Sequence, residues 1–186
     1  MWGTVLCGRS SGLTFIDPAD AVGVRCGLCR SFPDDFLLAY RPRGAHLDVL
    51  SAAARRYRTA SSLDGFKFFD QDTRDAFVRC GLNEGSLVDL GHGTYTFDLL
   101  EMDAIETVTL NVDKAFTCPR CGRRGNIYFR SDADDVVEIG RRPLGAFARS
   151  SELLGNLSQR GVYVYMSEET RKALEWPSSW TLTYRA

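Results

Sequence analysis

Cys26-Gly27-Leu28-Cys29 and Cys118-Pro119-Arg120-Cys121 are two cysteine pairs of identical CxxC spacing, and their pairing decides how the chain is organised. Each pair can close one tight knuckle that offers two thiolates, and two knuckles complete a tetrahedral four-cysteine site for a structural zinc ion. Four protein ligands leave no open coordination position, so the metal expected here is structural and not catalytic.

Residues 30–117 separate the pairs, a gap about six times longer than the ~15 residues of common four-cysteine sites. Loop-closure entropy grows by only about 0.6 kcal/mol per doubling, so the longer gap adds about 1.5 kcal/mol. Structural zinc contributes an apparent ~10–16 kcal/mol in small peptides, which exceeds that cost several-fold. The intervening chain is therefore expected to fold as a lobe whose ends meet at the metal. Structural disulfides and redox chemistry are the alternatives. Redox CxxC motifs sit at helix N-termini, whereas Gly122-Arg123-Arg124-Gly125-Asn126 is a poor helix start and suits a turn. Arg120, Arg123 and Arg124 are placed to offset the charge of a tetrathiolate.

The chain's 186 residues with 44% hydrophobic content suffice for one core, or one core and a small lobe. With 23 basic and 24 acidic residues the net charge is −1, which argues against a general nucleic-acid binder. The N-terminal stretch lacks the basic n-region and long apolar run of a signal peptide. Val5-Leu6-Cys7 resembles a lipoprotein processing site only faintly, because Leu6 is bulky. No stretch approaches the ~20 apolar residues of a membrane span. The expectation is a cytoplasmic protein with reduced thiols, no membrane partner, and Cys7 and Cys80 as small buried residues.

Local signals predict short β-like pieces such as Leu13–Ile16, a strand over Phe36–Tyr40 and a helix over 45–58. A second helix is expected from the cap Asp70 to about Cys80, with Phe77 inward and Gly81 closing it. Residues 82–94 read as loop. Strands follow at Tyr95–Leu100 and Ile105–Val112, the latter with clean period-two alternation. Asn126–Arg130 and Val136–Ile139 read as further strands. At the C-terminus, strand Val162–Met166, a helix capped by Ser167 and a last strand at Trp180–Tyr184 are expected. The fold class is α+β, one domain over 1–186: a zinc-ribbon-like substructure from 22–32 and 115–130, an α/β insert lobe over 33–114, and a strand-helix-strand unit over 151–186.

Candidate catalytic groups are few. His46 reads as a surface or packed helix residue, and His92, between Gly91 and Gly93, lacks a partner at an informative spacing. Asp132, Asp134 and Asp135 form an acidic turn without the remaining ligand pattern of a calcium loop. Phe66, Phe68 and Phe69 suit core packing better than base stacking, since Lys67 is the only interleaved cation. No phosphate-binding glycine loop is present. The chain is therefore expected to be neither an enzyme nor a binder of a small-molecule substrate.

The first knuckle in Gly23-Val24-Arg25-Cys26-Gly27-Leu28-Cys29 and the second in Cys118-Pro119-Arg120-Cys121-Gly122 resemble the double-CxxCG motif family of myxobacterial paralogues. The tail is similar too: Leu154-Gly155-Asn156-Leu157-Ser158, a strand, an acidic helix opening at Ser167-Glu168-Glu169, and a final strand. Arg30 departs from the pattern, standing where the family has glycine after the first pair. The resemblance covers most of the chain but is thin over 45–115. It implies an immunity protein of a swarm-inhibition toxin system, a cytoplasmic protein that binds one cognate toxin passed between sibling cells. If that toxin is a basic nuclease, Asp132, Asp134, Asp135, Glu168 and Glu169 are the groups expected to fill its cleft. A nucleic-acid-binding zinc-ribbon regulator, using Arg120, Arg123, Arg124, Arg141 and Arg142 on phosphates, is the alternative.

Overall fold

A computed structural model describes residues 1–112, 115–129, 136–156, 159–177 and 180–184. The fold is mixed α+β with many short strands and few helices. Two sheets carry it.

The first sheet has six strands, in spatial order Val136–Ile139, Thr181–Tyr184, Gly3–Val5, Val164–Ser167, Phe147–Ser150 and Ala104–Ile105. The two outer pairings are parallel and the inner ones antiparallel. Side chains alternate across its faces with period two. Val5, Val137, Ile139, Ala148, Tyr165 and Leu182 enter one core with Trp2, Ile127 and Phe129. Phe147, Val164 and Met166 enter a larger core on the opposite face. Both faces are buried at the central strand, where Val164, Tyr165 and Met166 are all covered, which is why Val162–Met166 reads as a nearly continuous apolar run.

The second sheet orders Arg9–Ser10, Thr59–Ser61, Lys67–Asp70, Thr94–Phe97 and Leu87–Gly91. Helices α1 (Asp34–Ala39), α2 (Gly44–Tyr57) and α3 (Gln71–Arg79) lie within this part of the chain. The aromatic run belongs to its core: Phe66, Phe68 and Phe69 are buried, and Phe69 meets Phe77 of α3 at 5.1 Å and Phe97 at 5.0 Å. Phe77 also contacts Phe147 of the first sheet at 5.3 Å, so aromatic packing joins the two sheets.

Local chemistry sets several of these boundaries. The Asp70 carboxylate accepts from Thr73 N–H at 2.9 Å and starts α3, and Gly81 follows it with φ +93°. Ser167 Oγ accepts from Thr170 N–H at 3.1 Å and starts α4 (Glu168–Ala173), ahead of the closing strand.

Other expectations are corrected. Phe36–Tyr40, read as a strand, is mostly α1: Pro33 precedes the helix, Asp34 and Asp35 fill its first turn, and a short apolar run has no periodicity to separate the two states. Residues 82–94 are not simply loop, because Leu87–Gly91 pairs with Thr94–Phe97 around a turn at 91–93. The alternating run 105–112 is divided. Ala104–Ile105 joins the first sheet, Thr107 bridges to Ile139, and Leu110–Asn111 pairs with Tyr128–Phe129. Leu13–Ile16 is not a strand; its backbone bonds to a side chain instead. Asp64, 6% exposed, accepts from Phe15 N–H at 2.8 Å and Ile16 N–H at 3.0 Å. An amide there offers one acceptor and turns its own donors toward the other N–H. Asp64→Asn should therefore cost about 2 kcal/mol, read as a 4–8 °C lower thermal midpoint at roughly 2–4 °C per kcal/mol.

Of the ribbon expected from 22–32 and 115–130, strand pairing surrounds the second CxxC turn, where Phe116–Thr117 pairs with Arg124–Gly125. The first CxxC lies among turns.

Candidate metal centre

The two CxxC segments fold as near copies. Arg30 N–H bonds the Cys26 carbonyl at 2.9 Å and Cys26 N–H bonds Ser31 O at 3.0 Å. In the second turn, Gly122 N–H bonds the Cys118 carbonyl at 2.8 Å and Cys118 N–H bonds Arg123 O at 2.9 Å. Both turns need a left-handed residue directly after the second cysteine: Arg30 has φ +62° and Gly122 φ +71°. Glycine adopts this region freely, while an L side chain costs about 1–2 kcal/mol there. Glycine's extra freedom in the unfolded chain returns part of that difference. Arg30→Gly is thus expected to stabilise by about 0.5–1 kcal/mol, raising the midpoint by about 1–4 °C. Gly122→Ala should lower it by a similar amount.

The fold brings all four cysteines together. Their sulfurs lie within 4.8 Å of one another, close enough to hold a single metal ion. Across the turns, Cys26 Sγ is 3.9 Å from Cys118 Sγ and Cys29 Sγ is 3.6 Å from Cys121 Sγ. A disulfide requires about 2.05 Å, and all four are free thiols. Their surroundings favour thiolates at two positions. Backbone N–H bonds from Cys29 and then Leu28 lower the Cys26 thiol, and the Arg123 N–H lowers Cys121 to about 6. Burial raises Cys118.

Side chains near the centre tie the two turns together. Arg120 lies over Gly27, where an added Cβ would stand 2.9 Å from its Nη1. Arg25 stacks on Phe32 at 4.4 Å. The main strut is Arg160, on the strand Gln159–Gly161 and 5% exposed. Its guanidinium donates to Phe32 O at 3.3 Å, to the Asp34 carboxylate and to Arg124 O at 3.2 Å. One side chain thereby holds the segments that follow both CxxC turns. Sequence reasoning missed it, since its partners lie 36 to 128 residues away.

The other anticipated groups are scattered. Asp132, Asp134 and Asp135 lie outside the described residues. Glu168 is held by Arg171, with oxygens 2.7 and 2.8 Å from its guanidinium, and that pairing keeps its carboxyl below the usual range. Glu169 is exposed and borders a cleft with Arg79 and Arg142. His46 Nε2 contacts the carbonyls of Thr14 and Phe15 at 3.1 Å, a packing role. His92 does have a partner, Asp48 Oδ1 of α2 at 2.9 Å from Nδ1, with both side chains mostly exposed. Cys7, expected to be buried, is exposed just past the strand Gly3–Val5, and Cys80 is partly buried at the end of α3. Among the described residues no helix is long and apolar enough to cross a membrane.

The chain matches no protein-family model, no curated protein and no solved structure.

Proposed function

We propose that the chain is a zinc-stapled binding protein of the cytoplasm that acts as an immunity protein, capturing one cognate toxin. The observation that carries the scaffold half is the closeness of four cysteine sulfurs drawn from two distant CxxC turns. A tetrahedral ion with bonds of about 2.3 Å sets its sulfurs about 3.8 Å apart, and the cross-turn separations of 3.6 and 3.9 Å bracket that value. The ion would act structurally, fixing both turns against each other as a ribbon-like unit.

The immunity half rests on the motif resemblance, and the order of elements supports it. Strand Leu154–Asn156, strand Val164–Ser167, α4 with Glu168 and Glu169 in its first turn, and strand Thr181–Tyr184 follow the second CxxC in the expected sequence. On α4, Glu169 is the carboxylate offered to a basic partner, since Glu168 is engaged by Arg171.

The nucleic-acid reading is weaker. Of the five arginines it requires, Arg141 pairs with Asp103 and Arg123 stands 3.8 Å from Asp34. A duplex gel shift that weakens steeply with salt would favour it.

The test of the proposal is capture and rescue. A tagged chain, expressed in its native cells, should co-purify with one protein whose expression alone arrests growth, and co-expression of the chain should restore growth. Unrelieved arrest by every co-purified protein would remove the immunity reading while leaving the metal scaffold standing.

A further inference from the structure

A cavity of about 240 Å³ opens between the second sheet and the Leu154–Asn156/Gln159–Gly161 hairpin. It is distinct from the metal centre. Its walls are Leu63, Leu154 and Val162, with the rings of Tyr128 and Tyr163, while Gly65, Gly155 and Gly161 expose backbone. Gly65 and Gly161 pack directly against each other. An added Cβ on Gly161 would stand 3.3 Å from Asp64 O and 3.5 Å from Gly65 Cα, so larger side chains there would crowd the seam.

Lys67 supplies the charge. It opens the strand Lys67–Asp70, is partly buried, and borders this cavity and a narrower apolar crevice beside it. Its Nζ donates to Ser61 Oγ at 2.8 Å. Among the described residues no carboxylate pairs with it, and Ser61 Oγ is the one acceptor its ammonium reaches. Burial accordingly pulls its ammonium below the usual lysine value, while Cys7, if ionised, would favour the charged form. A partly buried ammonium whose one hydrogen-bond partner is a neutral hydroxyl is costly, and buried charges are ordinarily paired. Tyr128, 45% exposed, and the partly buried Tyr163 line the same cavity, and neither phenol hydroxyl bonds another described residue.

We propose that this cavity binds a small monocarboxylate with a flat apolar body, the carboxylate on Lys67 and the body against the tyrosine rings and aliphatic walls. One cation matches one negative charge, whereas a phosphate dianion calls for further cations or an arginine fork. The volume lies below the ~300–1,000 Å³ of drug-sized sites, so the ligand is of metabolite size.

Benzoate is the probe and benzamide its uncharged isostere. In titrations followed by amide NMR shifts, benzoate should move the Gly65, Gly155 and Gly161 signals and bind at least about tenfold tighter than benzamide. Lys67→Met should remove that preference. Without ligand the variant should melt at or above the wild-type midpoint, because a desolvated charge has been replaced by an apolar side chain of similar length. Absence of benzoate binding, equal affinity for both probes, shifts away from these glycines, or wild-type affinity in Lys67→Met would overturn the proposal. The benzoate–benzamide comparison needs no variant.

Discussion

Replacing Cys118 by serine is expected to lower the thermal midpoint by about 10–20 °C. Cys118 is fully buried and its sulfur is one of four that converge. Serine is a poor ligand for a soft thiolate site, so the substitution removes the metal and not one bond alone. Zinc binding in small peptides is worth ~10–16 kcal/mol, but this chain also has two apolar cores in which none of the four cysteines takes part. A loss of about 5 kcal/mol is the expected share, and for a chain of this size each kcal/mol moves the midpoint by roughly 2–4 °C. Chelator treatment of the unmutated protein should give a similar shift. Cys80→Ser, at a partly buried position outside the cluster, serves as control and should change the midpoint by no more than about 2 °C. An unchanged midpoint in Cys118→Ser would mean that the four thiols stabilise nothing.

Arg160→Ala is expected to cost about 3 kcal/mol, a fall of about 6–12 °C. The side chain is buried and supplies donors to Phe32 O and Arg124 O, and its loss leaves both carbonyls short of a donor. The pairing with Asp34 contributes less, because that carboxylate is 55% exposed and screened by water. Removing the strut also frees the segments after both CxxC turns, so zinc release to a competing chelator should accelerate about tenfold, in the range known for groups that orient metal ligands. Arg160→Lys should restore only part of the stability, because an ammonium lacks the planar fork that reaches three acceptors. Equal chelator kinetics in Arg160→Ala and the unmutated chain would show that the arginine stabilises the fold without holding the centre.

The two largest effects differ in how visible they are in the sequence. The cysteine cluster was legible in the sequence because CxxC spacing is itself the local geometry of a two-thiolate turn. Bringing two such turns together needed no further signal. Arg30 was legible as a departure, and its φ of +62° gives the physical content: the turn retains its left-handed residue without glycine. Helices α3 and α4 were readable from their caps, Asp70 and Ser167, which act within three residues.

What failed to show in the sequence was either ambiguous or nonlocal. Phe36–Tyr40 is too short for periodicity to separate helix from strand. Residues 107–111 alternate cleanly yet serve two partners, so their pattern spoke for strand without revealing the change of neighbour. The strand Leu87–Gly91 was obscured by the glycines of its own turn. Asp64 reaches Phe15 and Ile16 across nearly 50 residues, the Asp48–His92 pair spans two elements, and Arg160 meets carbonyls contributed by both halves of the chain. No window of sequence contains any of these pairs.

The most direct measurement is metal content by mass spectrometry, with parallel thiol titration, on protein purified without added metal. About one zinc per chain is expected, with Cys7 and Cys80 titrating and Cys26, Cys29, Cys118 and Cys121 protected until the protein is denatured. Metal-free protein in which those four cysteines react freely, or are oxidised in pairs, would contradict a structural zinc centre.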